Sequence, residues 1–372
     1  MRSRIGVPLV MAAGAAVLMA APALAAVGTS PASSSDVVGP VLSSVEAGGR
    51  LYIGGTFTRV DTTSHAGLAA VDASTGVRDP GFRADVTGAV RALATDGTNI
   101  FIGGSFSSVG GVSRTNLAAL TPSGQLIGTF QPKASSTVES LDYVNGTLYV
   151  GGAFTTINGV NRKYLAALDP INGTVSSTFN PQPNGIVHVV KSSGSQIYAG
   201  GKFTTIGGAA RNYVARLDAA GVVQPYDARL GLDAQVFDIA PTDSDVYLGA
   251  GGHLPVGNSA YATDVVTGAQ RWQVKVDGDV ESIEPQGGDV YVGGHFNNTC
   301  SASSTTTCLI DFASRKAVVV DAGTGAPRPF ASFNSAAGIR SFTTAGGNLY
   351  ALGEFTKVNG MPRAGIARFP IQ

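Results

Sequence analysis

Leu148-Tyr149-Val150-Gly151-Gly152-Ala153-Phe154 is the stretch on which the fold turns, because the chain writes it again and again. Close copies stand at Tyr52-Ile53-Gly54-Gly55-Thr56-Phe57, Phe101-Ile102-Gly103-Gly104-Ser105-Phe106, Tyr198-Ala199-Gly200-Gly201-Lys202-Phe203 and Tyr291-Val292-Gly293-Gly294-His295-Phe296. Looser ones are Tyr247-Leu248-Gly249 and Tyr350-Ala351-Leu352-Gly353-Glu354-Phe355. The leading aromatics, at 52, 101, 149, 198, 247, 291 and 350, are 49, 48, 49, 49, 44 and 59 residues apart. A period of this kind marks a repeat architecture.

Working outward from the second copy defines one unit. Val90 to Ala94 is a short apolar run, and Asp96-Gly97-Thr98-Asn99 is a turn. Ile100 to Phe106 is the signature strand, and a loop through Gly110-Gly111 and Arg114 follows. Asn116 to Leu120 is a third strand, Thr121-Pro122-Ser123-Gly124 a tight turn, and Gln125 to Phe130 a fourth strand. Four short β runs joined by turn residues read as an antiparallel meander. Gly in mid-strand suits a place where another backbone packs closely. Seven such units predict an all-β fold, a seven-bladed β-propeller of four-stranded antiparallel blades. A parallel β-helix coil is shorter than this period, and tandem sandwich domains are about 100 residues each, so both fit worse.

Residues 1–25 read as a cleaved signal peptide. Arg2 and Arg4 give a basic start, Ile5 to Ala20 is apolar but short for a bilayer, and Ala23-Leu24-Ala25 is a cleavage signal. The domains expected are 1–25 signal peptide, 26–40 a segment closing the last blade, and 41–372 the propeller. Asp36-Val37-Val38-Gly39-Pro40-Val41 stands 49 positions before Asp85-Val86-Thr87-Gly88-Ala89-Val90, so the chain enters just after a fourth strand. It ends just after a third, which leaves residues 28–35 to supply the missing outer strand. The C-terminus carries no hydrophobic tail. The expectation is a secreted protein, extracellular or loosely surface-associated, with no membrane span.

Lys and Arg number 25 and so do Asp and Glu, which excludes an electrostatically driven nucleic-acid partner. Charged residues make up 13% and there are 50 glycines, a composition that suits strands buried on both faces and joined by Gly turns. In an exported chain Cys300 and Cys308 read as a disulfide stiffening one loop. That loop makes the sixth unit 10 residues longer than the first between its aromatic and its turn Asp, and it is the best single pointer to a recognition element.

An Asp ends the third strand at 72, 169, 218, 264 and 321, with Gly close behind at 76, 173, 221, 268 and 325. Recurrence in unit after unit reads as an Asx turn and not as a metal or acid–base ring. Arg114, Arg162, Arg211 and Arg363 recur in the loop after the second strand. They form either a ring of cations for an acidic ligand or, as we favour, ties to the carbonyls of their surroundings. The residue after the Gly pair varies, and Lys202, His295 and Glu354, with His253 displaced by an insertion, are the candidate binding residues there. No catalytic residue, metal ligand or cofactor is expected.

The combination Tyr-Val-Gly-Gly-x-Phe-Thr, Asn158-Gly159, Arg162, Tyr164-Leu165-Ala166-Ala167-Leu168-Asp169 and Phe179-Asn180-Pro181 resembles the delta-60 repeat of secreted bacterial β-propellers. It is also similar to the repeats of fungal cortical polarity-marker propellers. The resemblance spans essentially residues 26–372 and implies a seven-bladed extracellular or cell-surface propeller, without an activity to carry over. Ala262-Thr263-Asp264 through Trp272 is weakly similar to quinoprotein dehydrogenase repeats, but one Trp and no adjacent cysteine pair argue against that chemistry. The double Gly is weakly similar to Kelch repeats as well. The functional expectation is therefore a monomeric, non-catalytic binding or scaffold module directed to envelope glycans or surface proteins. The alternative is an extracellular hydrolase or lyase acting on glycans at the channel mouth, using Lys202, His253, His295 and Glu354.

Overall fold

The computed structural model describes residues 26–231, 234–252, 258–303 and 308–372. The proposed signal peptide lies outside these, as does His253. Among the described residues, seven sheets each contain one signature strand as their second member. The third is representative, with Val138–Val144, Thr147–Gly152 and Leu165–Leu168 antiparallel in chain order. The corresponding first strands of the other sheets are Val41–Ala47, Val86–Thr95, Val187–Ser193, Gln235–Pro241, Asp279–Gln286 and Ile339–Ala345. Each first strand packs against the first strand of the next sheet, and the last returns to the first, so the sheets form a ring. Among the described residues no helix is long and apolar enough to cross a membrane.

The two glycines of the signature have separate duties. A Cβ on Gly151 would lie 2.9 Å from Val187 Cγ1 on the next sheet, so this glycine is a notch that receives a neighbour's valine. Gly54, Gly103, Gly200, Gly249 and Gly293 receive Val90, Val138, Val236, Val280 and Ile339 in the same way. The second glycine faces its own sheet, where a Cβ on Gly152 would collide with Thr137 O. That carbonyl protrudes because the first strand carries a β-bulge at the next turn of the pairing. The register runs Val138↔Gly152 and then Ser140↔Gly151, skipping Glu139.

The fourth strand expected of each unit is mostly absent as a regular strand. Gln125 to Phe130 makes one bridge, Leu126 to Leu120, and the other early sheets likewise have single bridges at Arg78, Val175 and Val223. The chain leaves the sheet after this contact because it must deliver an aromatic to the signature ring. Phe82, Phe130, Phe179 and Tyr226 meet Tyr52, Phe101, Tyr149 and Tyr198 edge-on, with centroids 5.4, 5.4, 5.1 and 5.7 Å apart. The fifth sheet does have a full fourth strand, Gln270–Val276, where Trp272 takes that place beside Tyr247.

The long loop of the sixth unit is not irregular. Asn298–Ser303 and Cys308–Ala313 form a hairpin whose first strand pairs with Gln270–Val276, extending the fifth sheet to six strands. Thr299 and Cys300 are buried against that edge. The side chain of Cys308 lies outside the described residues, and the disulfide expectation with it.

At the ring's closing point Ala26, Gly28 and Ala32 donate backbone N–H groups to Gln372, Pro370 and Arg368 carbonyls, at 3.2, 3.0 and 2.7 Å. The Ala32 bond matches that from Ser176 N to Ala167 O in the third sheet. Residues 26–32 thus occupy, on the seventh sheet, the place of the fourth segment elsewhere.

Candidate functional site

The first strands of all seven sheets line one central cavity of about 490 Å³. Its chemistry comes from the seven bulges, since each register shift skips one residue: Leu42, Arg91, Glu139, His188, Phe237, Glu281 and Arg340. All seven line the cavity. A bulge residue has no cross-strand partner, so its side chain is free to serve something other than the ladder. The backbone geometry is repeated seven times while the side chain changes each time.

Neighbouring bulge residues interact around the ring. Arg91 Nη1 is 3.5 Å from Glu139 Oε2, and Arg340 Nη1 pairs with Glu281 Oε1. Glu281 Oε2 is enclosed without a hydrogen-bond partner. Burial pushes the Glu281 carboxyl up to about 7, against the opposing pull of Arg340. The rings of His188 and Phe237 lie 5.1 Å apart at 34°. His188 Nε2 is 3.3 Å from Gln235 Oε1, and burial holds its imidazole below the usual histidine range.

Deeper in the channel, polar side chains brace one sheet to the next. Ser140 Oγ accepts Val190 N–H at 3.0 Å, Asp238 Oδ2 accepts Ile283 N–H at 2.9 Å, and Ser282 Oγ accepts Phe342 N–H at 2.6 Å. These three positions are equivalent, each following a bulge and facing a notch glycine. Asp238 is a carboxylate standing where four other units have serine and the remaining two have Ala92 and Val189. Glu284 Oε1 accepts Thr344 N–H at 3.0 Å. Burial raises the carboxyls of both Asp238 and Glu284, with Lys191 opposing it in each case.

Lys202, His295 and Glu354 stand exposed at the ends of their signature strands, and none of them lines the central cavity. Lys202 N donates to Ile186 O at 2.8 Å, and His295 is paired with Asp279 across the ladder. His253 lies outside the described residues. Among the described residues no three His, Cys, Asp or Glu side chains gather as metal ligands would.

The four recurrent arginines are directed at main-chain carbonyls. Arg162 donates to Asn161 O at 2.8 Å and Ser176 O at 2.6 Å, and Arg211 to Ala210 O at 2.8 Å and Gln224 O at 3.3 Å. Arg363 donates to Pro362 O and, through Nε, to Ala32 O at 3.3 Å. Arg114 donates to Ser113 O at 2.9 Å. The turn aspartates do as their spacing predicts: Asp72 Oδ1 accepts the Ser74 hydroxyl at 2.6 Å and the Thr75 and Ser74 N–H groups at 2.8 and 3.0 Å, and these bonds, the hydroxyl's first, bring its carboxyl down to about 2. Gly76 there has φ 73°.

The bulge ring was not among the expected site residues. It had a signal all the same: each member stands ten positions before a signature aromatic and so keeps the same 49, 48, 49, 49, 44 and 59 spacing. Its identities vary, so no motif marks it.

A family model described as a beta-propeller domain of unknown function (DUF5122) matches residues 99–126, 145–179 and 196–223. These are the second to fourth units. No curated protein matches the chain. Among solved structures it is similar to the WD40 beta-propeller domain of Doa1, with TM-score 0.55 and 12% identity over 94% of this chain and 96% of that one. The WD40 domain of Neurospora crassa Pan2 gives TM-score 0.57 at 12% identity, covering 90% of this chain and 89% of that one. The extracellular domain of a hybrid two-component system from B. thetaiotaomicron gives 0.53 at 13%, covering 93% of this chain and 39% of that one. At such identity only architecture is shared. Ring, signature strands and these likenesses agree: the chain is a β-propeller.

Proposed function

We propose that this is an exported, seven-bladed β-propeller of the delta-60 repeat type, acting as a non-catalytic binding or scaffold module at or outside the cell surface. The observation that carries the reading is the bulge ring, in which one constant backbone presents five kinds of side chain at seven equivalent positions lining the channel. Fixed frame with varied ring is how a repeat scaffold acquires a recognition surface. The deeper acids are already engaged as structural acceptors, Asp238 by Ile283 N–H and Glu284 by Thr344 N–H, which supports binding over catalysis. Residues 26–40 close the seventh blade, and Cys300 with Cys308 forms a disulfide at the hairpin added to the fifth. Envelope glycans or surface proteins are the partners.

The test has two arms. N-terminal mass spectrometry of the exported protein should find cleavage after Ala25. The protein comprising residues 26–372 should then co-sediment with isolated cell envelopes, and failure to do so overturns the reading.

One observation favours a glycan hydrolase or lyase instead. The Glu281 carboxyl, up at about 7 beside Arg340, lies in the range a general acid uses near neutral pH. Turnover of any polysaccharide that is lost in Glu281→Gln or His295→Ala would establish that alternative.

A further inference from the structure

We infer that the channel mouth is a binding site for a neutral oligosaccharide, with Phe237 as its stacking face and the Arg–Glu pairs as its hydroxyl clamps. The inference rests on the surface-module reading and names the ligand of that same ring.

Sheets neighbour one another in chain order, so Arg340, Leu42 and Arg91 occupy one arc, while His188 and Phe237 occupy the arc across from it. Glu281 and Glu139 stand between the arcs, each bound to its neighbouring arginine. Each guanidinium faces a glutamate, Lys191 in the same cavity is opposed by Asp238 and Glu284, and His188 is held low by burial. An anion would find these cations already opposed, and a cation would find both glutamates engaged. The cavity therefore leaves no basic side chain unopposed for an ionic ligand to select.

What it does have is alternating donors and acceptors around a partly accessible aromatic face. A carboxylate bound to a guanidinium through one oxygen still offers lone pairs, and Glu281 Oε2 is enclosed with no partner at all. Arg91 and Arg340 keep N–H groups beyond those used on glutamate, and their side chains are 43% and 34% exposed. Adjacent hydroxyls on a sugar ring present one donor and one acceptor at the spacing that such a pair can bridge. The sugar's C–H face is apolar and flat, and Phe237, set against His188, offers a matching surface. The cavity, at about 490 Å³, falls in the size class of small-ligand sites.

The test is isothermal titration calorimetry on the protein comprising residues 26–372. The probes are maltotriose, cellotriose, mannotriose, triacetylchitotriose and, as the acidic counterpart, trigalacturonate. At least one neutral trisaccharide should bind with micromolar to low-millimolar Kd. Phe237→Leu, which keeps apolar volume but loses the flat face, should weaken it tenfold or more, and Glu281→Gln should weaken it several-fold. Both variants should keep the thermal transition of the parent protein, which separates lost binding from lost folding. Binding of trigalacturonate alone, binding of no probe, or unchanged affinity in both variants overturns the inference. Co-sedimentation of the unaltered protein with envelopes is scored separately. Envelope binding that survives Phe237→Leu leaves the surface-module reading standing while this site assignment falls.

Discussion

Six of the seven interfaces between neighbouring sheets are built around a glycine notch, and the seventh, where the last sheet meets the first, is built around Leu352. At the six, a valine or isoleucine from the start of one first strand enters the space above a glycine of the preceding sheet. At the seam the residue in the notch position is Leu352, fully buried in one cluster with Val41, Ile53 and Tyr350. Polar bonds replace the lost intimacy. Ser44 Oγ reaches Ser341 and Thr343 hydroxyls at 3.1 and 2.5 Å, Asn348 Nδ2 donates to Ala73 and Ser74 carbonyls, and Tyr350 Oη donates to Ala73 O at 2.9 Å. The seam is also the one interface spanned by the N-terminal segment, whose Ser35 N–H bonds Gly76 O on the first sheet while Ala32 bonds the last. The difference teaches that interior interfaces combine the close backbone approach of a glycine notch with side-chain braces such as Ser140, Asp238 and Ser282. The seam joins two distant ends and is held by side chains and a strap.

The largest expected effect follows from that strap. Deleting residues 26–36 removes the backbone bonds of Ala26, Gly28, Ala32 and Ser35 to the two terminal sheets. At about 1 kcal/mol net per hydrogen bond the loss is about 4 kcal/mol, enough to drop the chemical-denaturation midpoint sharply. An unchanged midpoint would mean that the ring closes without it.

Gly201→Ala comes next, and it strikes an interior sheet. The new Cβ would press on Ile186 O, a backbone atom fixed by the bulge, with no side chain free to yield. Destabilisation above about 3 kcal/mol is expected in denaturant melts. A mild effect would show that the bulge can be ironed out.

The notch and its seam counterpart should then respond to opposite changes of volume. Leu352→Ala at the seam empties a filled site and should destabilise by about 3 kcal/mol. Gly200→Ala fills a notch, placing Cβ 2.6 Å from Val236 Cγ1 and 2.8 Å from Val189 Cγ1. These are side-chain atoms that can shift, so about 2 kcal/mol is expected. If Leu352→Ala proves neutral, the seam is not packed by this residue and the comparison breaks.

The sequence made some of this legible and hid the rest for physical reasons. Period, signature strand and Asp–Gly turn were visible because backbone geometry restricts the residue type there. Gly151 must lack a Cβ, Gly76 must take φ 73°, and Asp72 must cap its turn, so most units repeat the choice. The bulge ring was hidden because a residue outside the ladder is under no such constraint. Glu139 and Phe237 share a backbone position and no chemistry. The residues just after the Gly pair, Lys202 and His295 among them, are exposed at the ends of their signature strands and do not line the central cavity. The hairpin of the sixth unit was hidden for another reason. Strand Asn298–Ser303 pairs with Lys275 and Val276 of the preceding unit, a partner that no local pattern announces.

The smallest effect is a pH dependence at an interior interface, and it discriminates between charge and packing there. Glu281 and Arg340 join the sixth and seventh sheets, and burial raises the Glu281 carboxyl from 4.5 to about 7. An acid whose folded-state pKa is raised holds its proton more firmly when folded, so its stabilising contribution is full below the unfolded value near 4.5. It declines as pH rises and is lost through about 7. Denaturation midpoints should therefore fall between pH 4.5 and 7 by less than about 2 kcal/mol, once channel water at this 15% exposed side chain is discounted. Glu281→Gln should flatten that slope. Asp72 works in the opposite sense: its carboxyl is lowered to about 2, so its contribution is present above 3.8 and lost only as pH falls through about 2. A slope between pH 4.5 and 7 that survives Glu281→Gln must come from another group, His188 being excluded by sign. Its imidazole is depressed by burial, so it stabilises as pH rises through its unfolded value and not as pH falls. Asp238 and Glu284, both raised by burial, would then be the carriers, and the charge that matters at these interfaces would lie at the inter-sheet braces and not at the mouth.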